Sequence, residues 1–317
     1  MSLSMKLIFS FPFVVKGGSL ISFFHKHNCE FEKKVGFSRA EITLSRYKIV
    51  CQHLENFVKS EYGKDDLYLS RISLATINDF DVYLRKKLKL KPNTVWVYMT
   101  VFKHIVLLAR NEGLIANNPF CGYKNCRKQV DRDYLLENEL LAVYYAEMPS
   151  TSSELVRDLF VFSAYTGISY SDLRRLKPEN VKKMFDGNLW VVYRRKKTNV
   201  DCSVRLFDIP LQIIEKYQGM QKEQLFRVPS NGYCNDLLSI VMYASGIHRK
   251  ITFHAARHTF ATLLLSKGVA IETVSRILGH NNIRTTQIYA KITNEKLSAD
   301  MRRLAHFLNK HPSQMQM

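Results

Sequence analysis

Apolar residues in the first third of the chain recur at every third or fourth position, and this period restricts that part of the fold to amphipathic helices. The repeat predicts one helix over Arg39–Tyr62 and a second over Thr76–Lys87. Pro92 suits the first turn of a third helix, which Gly113 ends. The first half is therefore predicted to be a small all-helical domain.

The second half mixes helical and extended segments. Helices are predicted over Glu137–Ala146 and Glu154–Tyr165, and the β-branched and aromatic runs Leu189–Arg195 and Ser203–Ile209 flank a polar turn. Further helices follow: Leu211–Tyr217, Asn235–Ala244, His254–Ser266, Ile271–Leu278 and Glu295–Leu308. The predicted fold class is mainly α with a small β-hairpin, an α+β protein.

A length of 317 residues suits two ordinary domains of roughly 150 residues each. A polar, basic stretch near the middle of the chain is predicted to be a linker, either a solvated loop or the connector of a clamp around DNA. The predicted parts are an N-terminal extension, a helical domain, this linker, a second domain and a tail: 1–36, 37–120, 121–133, 134–310 and 311–317.

The charge balance indicates a polyanionic partner. The chain has 47 Lys and Arg against 28 Asp and Glu, a formal net charge of +19. Nucleic acid fits best because phosphate neutralisation rewards dispersed cations, although an anionic membrane or simple solubility would also use a basic surface. No apolar run approaches the roughly 20 residues of a membrane helix, so we predict no membrane partner.

The six cysteines are scattered, and no pair has CxxC spacing, which favours the cytoplasm over an oxidising compartment. Lys6 and the apolar run Leu7–Val15 resemble only a poor signal-peptide core, without a clear cleavage site. His25, His27 and Cys29 alternate in a metal-like way, but no second ligand pair lies near them in sequence. We predict a cytoplasmic protein with no metal and no cofactor.

Three short motifs near the C-terminal end carry potential chemistry. His254 and Arg257 stand three residues apart at the predicted start of a helix, where the electropositive turn could hold a phosphate. Leu278-Gly279-His280 follows a predicted helix, and Tyr289 lies nine residues after that histidine. Each motif alone also fits ordinary surface or packing residues.

Together, in this order and on a basic chain, the motifs closely resemble the tyrosine recombinase (phage integrase) family. That family has HxxRH, then LGH, then a YA or YT dipeptide, and this chain reads His254-Ala-Ala-Arg257-His258, Leu278-Gly279-His280 and Tyr289-Ala290. The resemblance covers roughly residues 37 to 310. It implies a helical, SAM-like core-binding domain followed by the tyrosine recombinase catalytic domain.

The resemblance also implies the activity: a site-specific recombinase, acting as integrase, excisionase or invertase, that cuts and rejoins DNA through a 3′-phosphotyrosyl intermediate. Tyr289 would be the nucleophile, Arg257 a phosphate clamp, His254 and His280 the histidine pair, and Lys197 the hairpin lysine. The implied partners are double-stranded DNA, a homo-tetramer assembled on it, and accessory DNA-bending proteins. The amphipathic segment Glu295–Leu308 either docks on a neighbouring copy, as the resemblance implies, or folds back on its own domain.

One position departs from the family pattern. Ser169 stands where the family usually has Arg after its Thr-Gly-Leu turn, a feature that resembles the integrases of conjugative transposons. Arg194 and Arg195, which precede Lys197 on the predicted strand, are the candidate substitutes. If Lys197 points to the active site, Arg195 shares its face and Arg194 points away, so our hypothesis is that Arg195 supplies the missing clamp. The alternatives are a catalytically impaired DNA-binding protein of the same fold and a type IB topoisomerase.

The resemblance leaves the N-terminal region and the reaction open. Mobile-element integrases of this type often carry an arm-binding domain before the core-binding domain, and residues 1–36 are too short and too apolar for one. We therefore expect either a truncated arm-binding region or a simpler inversion-type enzyme. The target site and the direction of the reaction do not follow from the sequence.

Overall fold

The computed structural model describes residues 18–128, 133–221, 223–289, 298 and 301–306. Over these residues the chain is mainly helical with one small sheet. The helices and strands, in chain order, are α1 (Leu20–Glu32), α2 (Glu41–Tyr62), α3 (Leu74–Val82), α4 (Pro92–Asn111), α5 (Glu137–Tyr145), α6 (Thr151–Thr166), α7 (Tyr170–Leu173), β1 (Val181–Lys183), β2 (Leu189–Arg194), β3 (Asp201–Arg205), α8 (Asp208–Tyr217), α9 (Asn231–Ala244), α10 (Phe253–Ser266), α11 (Ile271–Ile277) and α12 (Arg284–Gln287).

The chain divides into two compact units, residues 1–130 and 131–317. Helices α1 to α4 form the first unit, and the remaining helices and the sheet form the second. The fold class predicted from the sequence is confirmed. Within the described residues, none of the helices combines the length and the apolar character that crossing a membrane requires.

The first unit begins earlier than the sequence pattern predicted. Residues 1–36 were expected to be an extension outside the helical domain, and 1–17 lie outside the described residues. Leu20–Glu32, however, forms helix α1, and its side chains Leu20, Ile21 and Phe24 belong to the core of the first unit. Two backbone amides at the start of α1 donate to the carboxylate of Asp66, which fixes the helix against the loop after α2.

Why the sequence missed α1 is clear from its composition. Its apolar residues are mixed with His25, His27, Asn28 and Cys29, so the apolar stripe is narrow. The helix becomes stable by packing on α2, because tertiary burial contributes more to a short helix than its own propensity does. The predicted second helix also differs, because α3 ends at Val82 and one π-helical turn, Tyr83–Lys87, continues it.

Helix α6 lies at the centre of the second unit. Most of its side chains are buried against α8, α9 and α10, with the aromatic pair Phe162 and Phe226 at van der Waals distance. Ser150 caps its N-terminus, and Gly167 ends it in the left-handed region with φ of +69°. The chain therefore turns sharply at Thr166-Gly167-Ile168, directly before Ser169.

The sheet has three antiparallel strands in the order β1-β2-β3, one more than the predicted hairpin. Strand β3 begins at Asp201 rather than Ser203, because it pairs with β2 in the register Arg194↔Asp201. Residues 208 and 209, predicted to be extended, open α8 instead, with Asp208 in its electropositive first turn.

The predicted C-terminal helix, Glu295–Leu308, lies largely outside the described residues. The part that is described, residue 298 and residues 301–306, is helical. Met301 and Leu304 are about half exposed there, at 56% and 48%. These two apolar side chains are therefore open to solvent in the isolated chain.

Candidate active site

Arg257 is the central cation of the site. It lies in the first turns of α10 and is 2% exposed, although a guanidinium is rarely buried without partners. Its Nη1 donates to the carbonyl oxygen of Gly167 at 2.6 Å, and its Nη2 donates to the carbonyl oxygen of Leu278. Arg257 thus holds the turn after α6 and the turn after α11 together.

His280 follows the second of these turns and contacts the same arginine. Arg257 Nη2 donates to His280 Nε2 at 3.2 Å, and His280 Nδ1 lies 2.8 Å from Thr286 Oγ1. Because a guanidinium can only donate, Nε2 must accept, and the network assigns the proton of the neutral ring to Nδ1. His280 is therefore a neutral imidazole in the DNA-free protein.

Burial and the positive charges of Arg257, Arg195 and Lys197 lower the pKa of His280 from 6.5 to about 3. The unfolded chain binds this proton near pH 6.5 and the folded chain does not, so stability should fall as pH decreases from about 6.5 towards 3. We expect the NMR signal of the His280 ring to stay unchanged between pH 8 and pH 5, with His280→Gln to assign it. A midpoint near 6.5 would contradict this environment.

Arg195 is the second cation of the site, and it is 8% exposed. It follows β2 directly and keeps the inward alternation of Val191 and Tyr193, whereas Arg194 is exposed. Its Nη1 donates to the carbonyl oxygen of Gly279 at 2.7 Å, and its Nε is buried with no hydrogen-bond partner among the described residues. Arg257 donates to the carbonyl oxygen of Leu278, the residue preceding Gly279, so the two guanidiniums lie close together. Burial, and next the positive charge of Arg195, lower the pKa of Arg257.

Gly279 is required by this packing. Its φ is +61°, and a Cβ atom there would lie 2.4 Å from the sulfur of Cys202 and 3.1 Å from Cδ of Arg195. We expect Gly279→Ala to lower the free energy of unfolding by about 2–4 kcal/mol, from backbone strain and overpacking together. Gly246 has φ of +73° and open space around it, so Gly246→Ala should show the strain alone. Denaturant unfolding of both variants checks this, and equal losses would contradict the steric part.

Tyr289 lies two residues after α12, partly buried, at the end of the described segment. Its ring centroid is 4.9 Å from that of His258 and 6.4 Å from that of His280. His254 is exposed, one position into α10, and its ring contacts that of His258 at 4.6 Å. The fold thus brings the three C-terminal motifs into one cluster.

Lys197 is exposed in the turn between β2 and β3. It was predicted to lie on the strand and to share a face with Arg195. That turn is fixed from the other side, because the backbone amide of Lys196 donates to Asp172 Oδ1 at 2.8 Å. The hydroxyl of Ser169 donates to Asp172 Oδ2 at 2.7 Å. Ser169 therefore lies beside the lysine turn and contributes no charge of its own.

Sequence reasoning missed three residues of this cluster: Asp172, Thr286 and His258. Asp172 is 3% exposed and joins the start of α7 to the lysine turn, while Thr286 is fully buried and orients His280. Only His258 stood within a quoted motif, HxxRH. Asp172 lies three residues after Ser169, and Thr286 lies three residues before Tyr289, which was the available signal. Their partners, Lys196 and His280, are 24 and 6 residues away in sequence, so the contacts themselves could not be predicted.

The arrangement is suited to chemistry on a phosphate ester. Two buried guanidiniums provide donors for nonbridging oxygens, and three histidine rings cluster with Tyr289, whose phenol can act as an oxygen nucleophile. The positive charge of Lys197 acts on one of these rings, His280. A helical domain that precedes such a site in a chain of net charge +19 fits a DNA substrate. The class defined by fold and site is an enzyme that breaks and rejoins phosphodiesters.

Family comparisons agree with this class. Residues 19–127 match the Phage integrase SAM-like domain, and residues 134–296 match the Phage integrase family. The chain belongs to the phage integrase family, the tyrosine-type site-specific DNA recombinases.

The chain is similar over most of its length to named members of the family. It is 24% identical to tyrosine recombinase XerC of Pediococcus pentosaceus, covering 83% of this chain and 92% of that one. It is 25% identical to tyrosine recombinase XerC of Staphylococcus epidermidis, covering 88% and 94%. Tyrosine recombinase XerA of Pyrococcus horikoshii is 33% identical over a shorter part, 41% of this chain and 48% of that one.

Solved structures share the fold. The Tn1549 transposon integrase bound to a circular intermediate DNA superposes with a TM-score of 0.70 at 16% identity, covering 90% of this chain and 99% of that one. Lambda integrase bound as a dimer to a COC′ core site gives 0.69 at 18% identity, covering 87% and 98%. The predicted combination of a SAM-like domain and a tyrosine recombinase catalytic domain is confirmed.

Proposed function

We propose that this recombinase cuts one DNA strand by attack of Tyr289 on a phosphodiester held between Arg257 and Arg195. The observation that carries the proposal is the buried, unpartnered Nε of Arg195 beside Arg257. A buried donor without a partner is costly unless a ligand satisfies it in the working state. A phosphate oxygen, which accepts hydrogen bonds and carries the opposite charge, is the ligand that two adjacent guanidiniums favour.

Arg195 in this role compensates for Ser169. Serine is neutral, so the position usually held by arginine offers no cation, and the hydroxyl of Ser169 donates to Asp172. Asp172 also fixes the turn that follows Arg195, which ties the two positions together in space. The Ser169 substitution and this compensation support our assignment of the chain to a subgroup like the integrases of conjugative transposons.

The phosphate changes the protonation of its neighbours. His280 is neutral because Arg257, Arg195 and Lys197 surround it, and a phosphodiester anion between them would offset part of that charge and raise the pKa of His280. His280 could then protonate at Nε2 and donate to a nonbridging oxygen instead of accepting from Arg257. Thr286 would hold the ring in place through Nδ1 during this exchange.

The strand transfer balances as follows. Tyr289 transfers its phenol proton to His254, which is the base in cleavage and the acid in rejoining. The phenol oxygen forms a bond to phosphorus while the bond from phosphorus to the 5′ oxygen breaks. Lys197 protonates the departing 5′ oxygen, leaving a 3′-phosphotyrosyl bond. The 5′ hydroxyl of another strand then attacks the phosphotyrosyl bond and reverses these steps. No external energy source is needed, because the phosphotyrosyl bond conserves the bond energy of the cut phosphodiester.

The substrate is proposed to be duplex DNA, with four copies of the chain acting on two sites. The net charge of +19 supports the DNA, and a lambda integrase of similar fold is a tetramer bound to a Holliday junction. The exposed Met301 and Leu304 support docking of the C-terminal segment on a neighbouring copy. We further propose that a mobile element carries the gene and that the protein acts in the cytoplasm. Residues 37–120 together with α1 are proposed to be the core-binding domain, and residues 134–310 the catalytic domain.

A nicked suicide duplex tests the proposed chemistry. The nick lets the short 5′ fragment diffuse away after cleavage, so the protein should remain bound to the DNA through denaturation. The expected result is a covalent adduct with a duplex that carries the chain's own site. Specific binding without any adduct would contradict the proposed function and favour the catalytically impaired DNA-binding protein, whereas relaxation of supercoils without strand exchange would favour the topoisomerase.

A further inference from the structure

Three metal-ligating side chains from two helices meet in the first unit, far in sequence from the residues of the active site. His25 on α1 faces Cys51 and Glu55, which stand one helical turn apart on α2. His25 Nε2 is 2.6 Å from Glu55 Oε1, and Cys51 Sγ is 4.0 Å from His25 Nε2 and 3.7 Å from Glu55 Oε1. Of all the described residues, these form the group of His, Cys, Asp or Glu side chains that could hold one ion.

The chemistry and the distances suit a particular ion. Imidazole nitrogen, thiolate sulfur and carboxylate oxygen are the ligands of zinc, and the thiolate disfavours magnesium and calcium. Tetrahedral zinc, with bonds of about 2.0–2.3 Å, holds its ligand atoms about 3.3–3.6 Å apart. Both sulfur distances are within about 0.5 Å of this range, and the His25–Glu55 hydrogen bond would need to open by under about 1 Å.

The surroundings allow that adjustment. The side chains of His25 and Glu55 are 60% and 27% exposed, so both can move, while Cys51 is anchored in the core at 2%. Gln52 Nε2 donates to Glu55 Oε2 at 2.9 Å, which leaves Oε1 turned towards His25. Such a partner of a ligand fixes the ligand's orientation.

We propose that His25, Cys51 and Glu55 bind a zinc-type divalent transition metal, with a solvent oxygen in the fourth position. The nearby carboxylate of Asp66 is engaged by the start of α1, so it is not the fourth ligand. The alternation of His25, His27 and Cys29 in the sequence is not the metal pattern. His27 turns away and packs near Tyr47, and Cys29 does not belong to the group of side chains that meet within ligand distance. The site joins α1 to α2 and is independent of the recombination chemistry.

Metal binding by the whole chain tests the site. Co²⁺ added to the reduced protein is expected to give visible d–d bands of a tetrahedral ion and a near-ultraviolet sulfur-to-metal band, at one ion per chain. Zn²⁺ should displace it and raise the melting temperature, since an ion that binds only the folded state stabilises that state. Absence of the sulfur-to-metal band would overturn the proposal.

Variants distinguish this site from other thiols. Cys51→Ser and His25→Ala should each weaken Zn²⁺ binding by more than the roughly 10- to 100-fold that an outer partner contributes, and Gln52→Ala by about tenfold. Cys29→Ser, at an exposed cysteine of α1, is the matched control and should bind as the wild type does. His25 is largely exposed, so His25→Ala should fold even if Cys51→Ser does not. Unchanged binding in His25→Ala would assign the ion elsewhere and overturn the site.

Discussion

A Tyr289→Phe protein is expected to bind its DNA site as tightly as the wild type does and to form no covalent adduct with a nicked suicide duplex. The substitution removes one oxygen and keeps the ring that packs against His258 and His280. Loss of a covalent nucleophile costs about 10⁶-fold in other enzymes. Adduct formation should therefore fall below detection, while the melting temperature stays close to that of the wild type.

The control for this experiment is another tyrosine of the same unit. Tyr233 is 46% exposed at the start of α9, and Tyr233→Phe should form the adduct at the wild-type rate. Digestion of the wild-type adduct with a protease should leave the DNA on the peptide that contains residue 289. An adduct with Tyr289→Phe, or DNA on a different peptide, would show that another residue is the nucleophile.

Arg195→Ala is expected to slow strand cleavage by about 10²- to 10³-fold, equivalent to about 3–4 kcal/mol of transition-state stabilisation. The guanidinium is buried beside Arg257 and offers an unpartnered Nε, so its removal takes away a preorganised donor rather than a surface charge. Single-turnover cleavage of the suicide duplex at saturating protein measures the effect. Wild-type cleavage by Arg195→Ala would disprove the compensation hypothesis.

Two further variants make this test specific. Arg194 has a largely exposed side chain on the opposite face of β2, so Arg194→Ala should cleave at nearly the wild-type rate. Ser169→Arg restores the residue usual in the family, and in the Arg195→Ala background it should recover part of the lost rate. Because Arg195 also donates to Gly279, thermal unfolding of each variant must separate lost catalysis from lost stability.

The sequence predicted most of the local structure because helical and strand periods are written in neighbouring residues. The predicted first and last residues of α2, α4, α6 and α10 were correct to within a few residues. The strand alternation predicted that Arg194 and Arg195 point to opposite faces, and Arg194 is exposed while Arg195 is buried. Lys197, which was expected to share the face of Arg195, is instead exposed in the turn after β2. These features depend on periods of 3.6 and 2 residues, so no distant contact is needed to infer them.

The sequence erred where distant packing decides. The residues of helix α1 were assigned to an extension, because the narrow apolar stripe of α1 gives only a weak helical pattern. Its burial depends on packing against α2, which the sequence does not show. Strand β1 was missed because three residues carry too little pattern, and its pairing with β2 defines it. The prediction that the strand continues to residue 209 was wrong, because Asp208 favours the first turn of a helix and residues 208 and 209 begin α8.

By itself, then, the sequence determined the fold class, the family and the residues of the three C-terminal motifs, since each rests on residue type and short spacing. Only the tertiary structure decided what surrounds them: Arg195 against Gly279, Asp172 against the lysine turn, Thr286 against His280, and His25 against Cys51 and Glu55. The physical reason is that hydrogen bonds, burial and pKa shifts act over a few ångströms in space. Most of these partners come from different helices, strands and turns, and the folded chain brings them within that range.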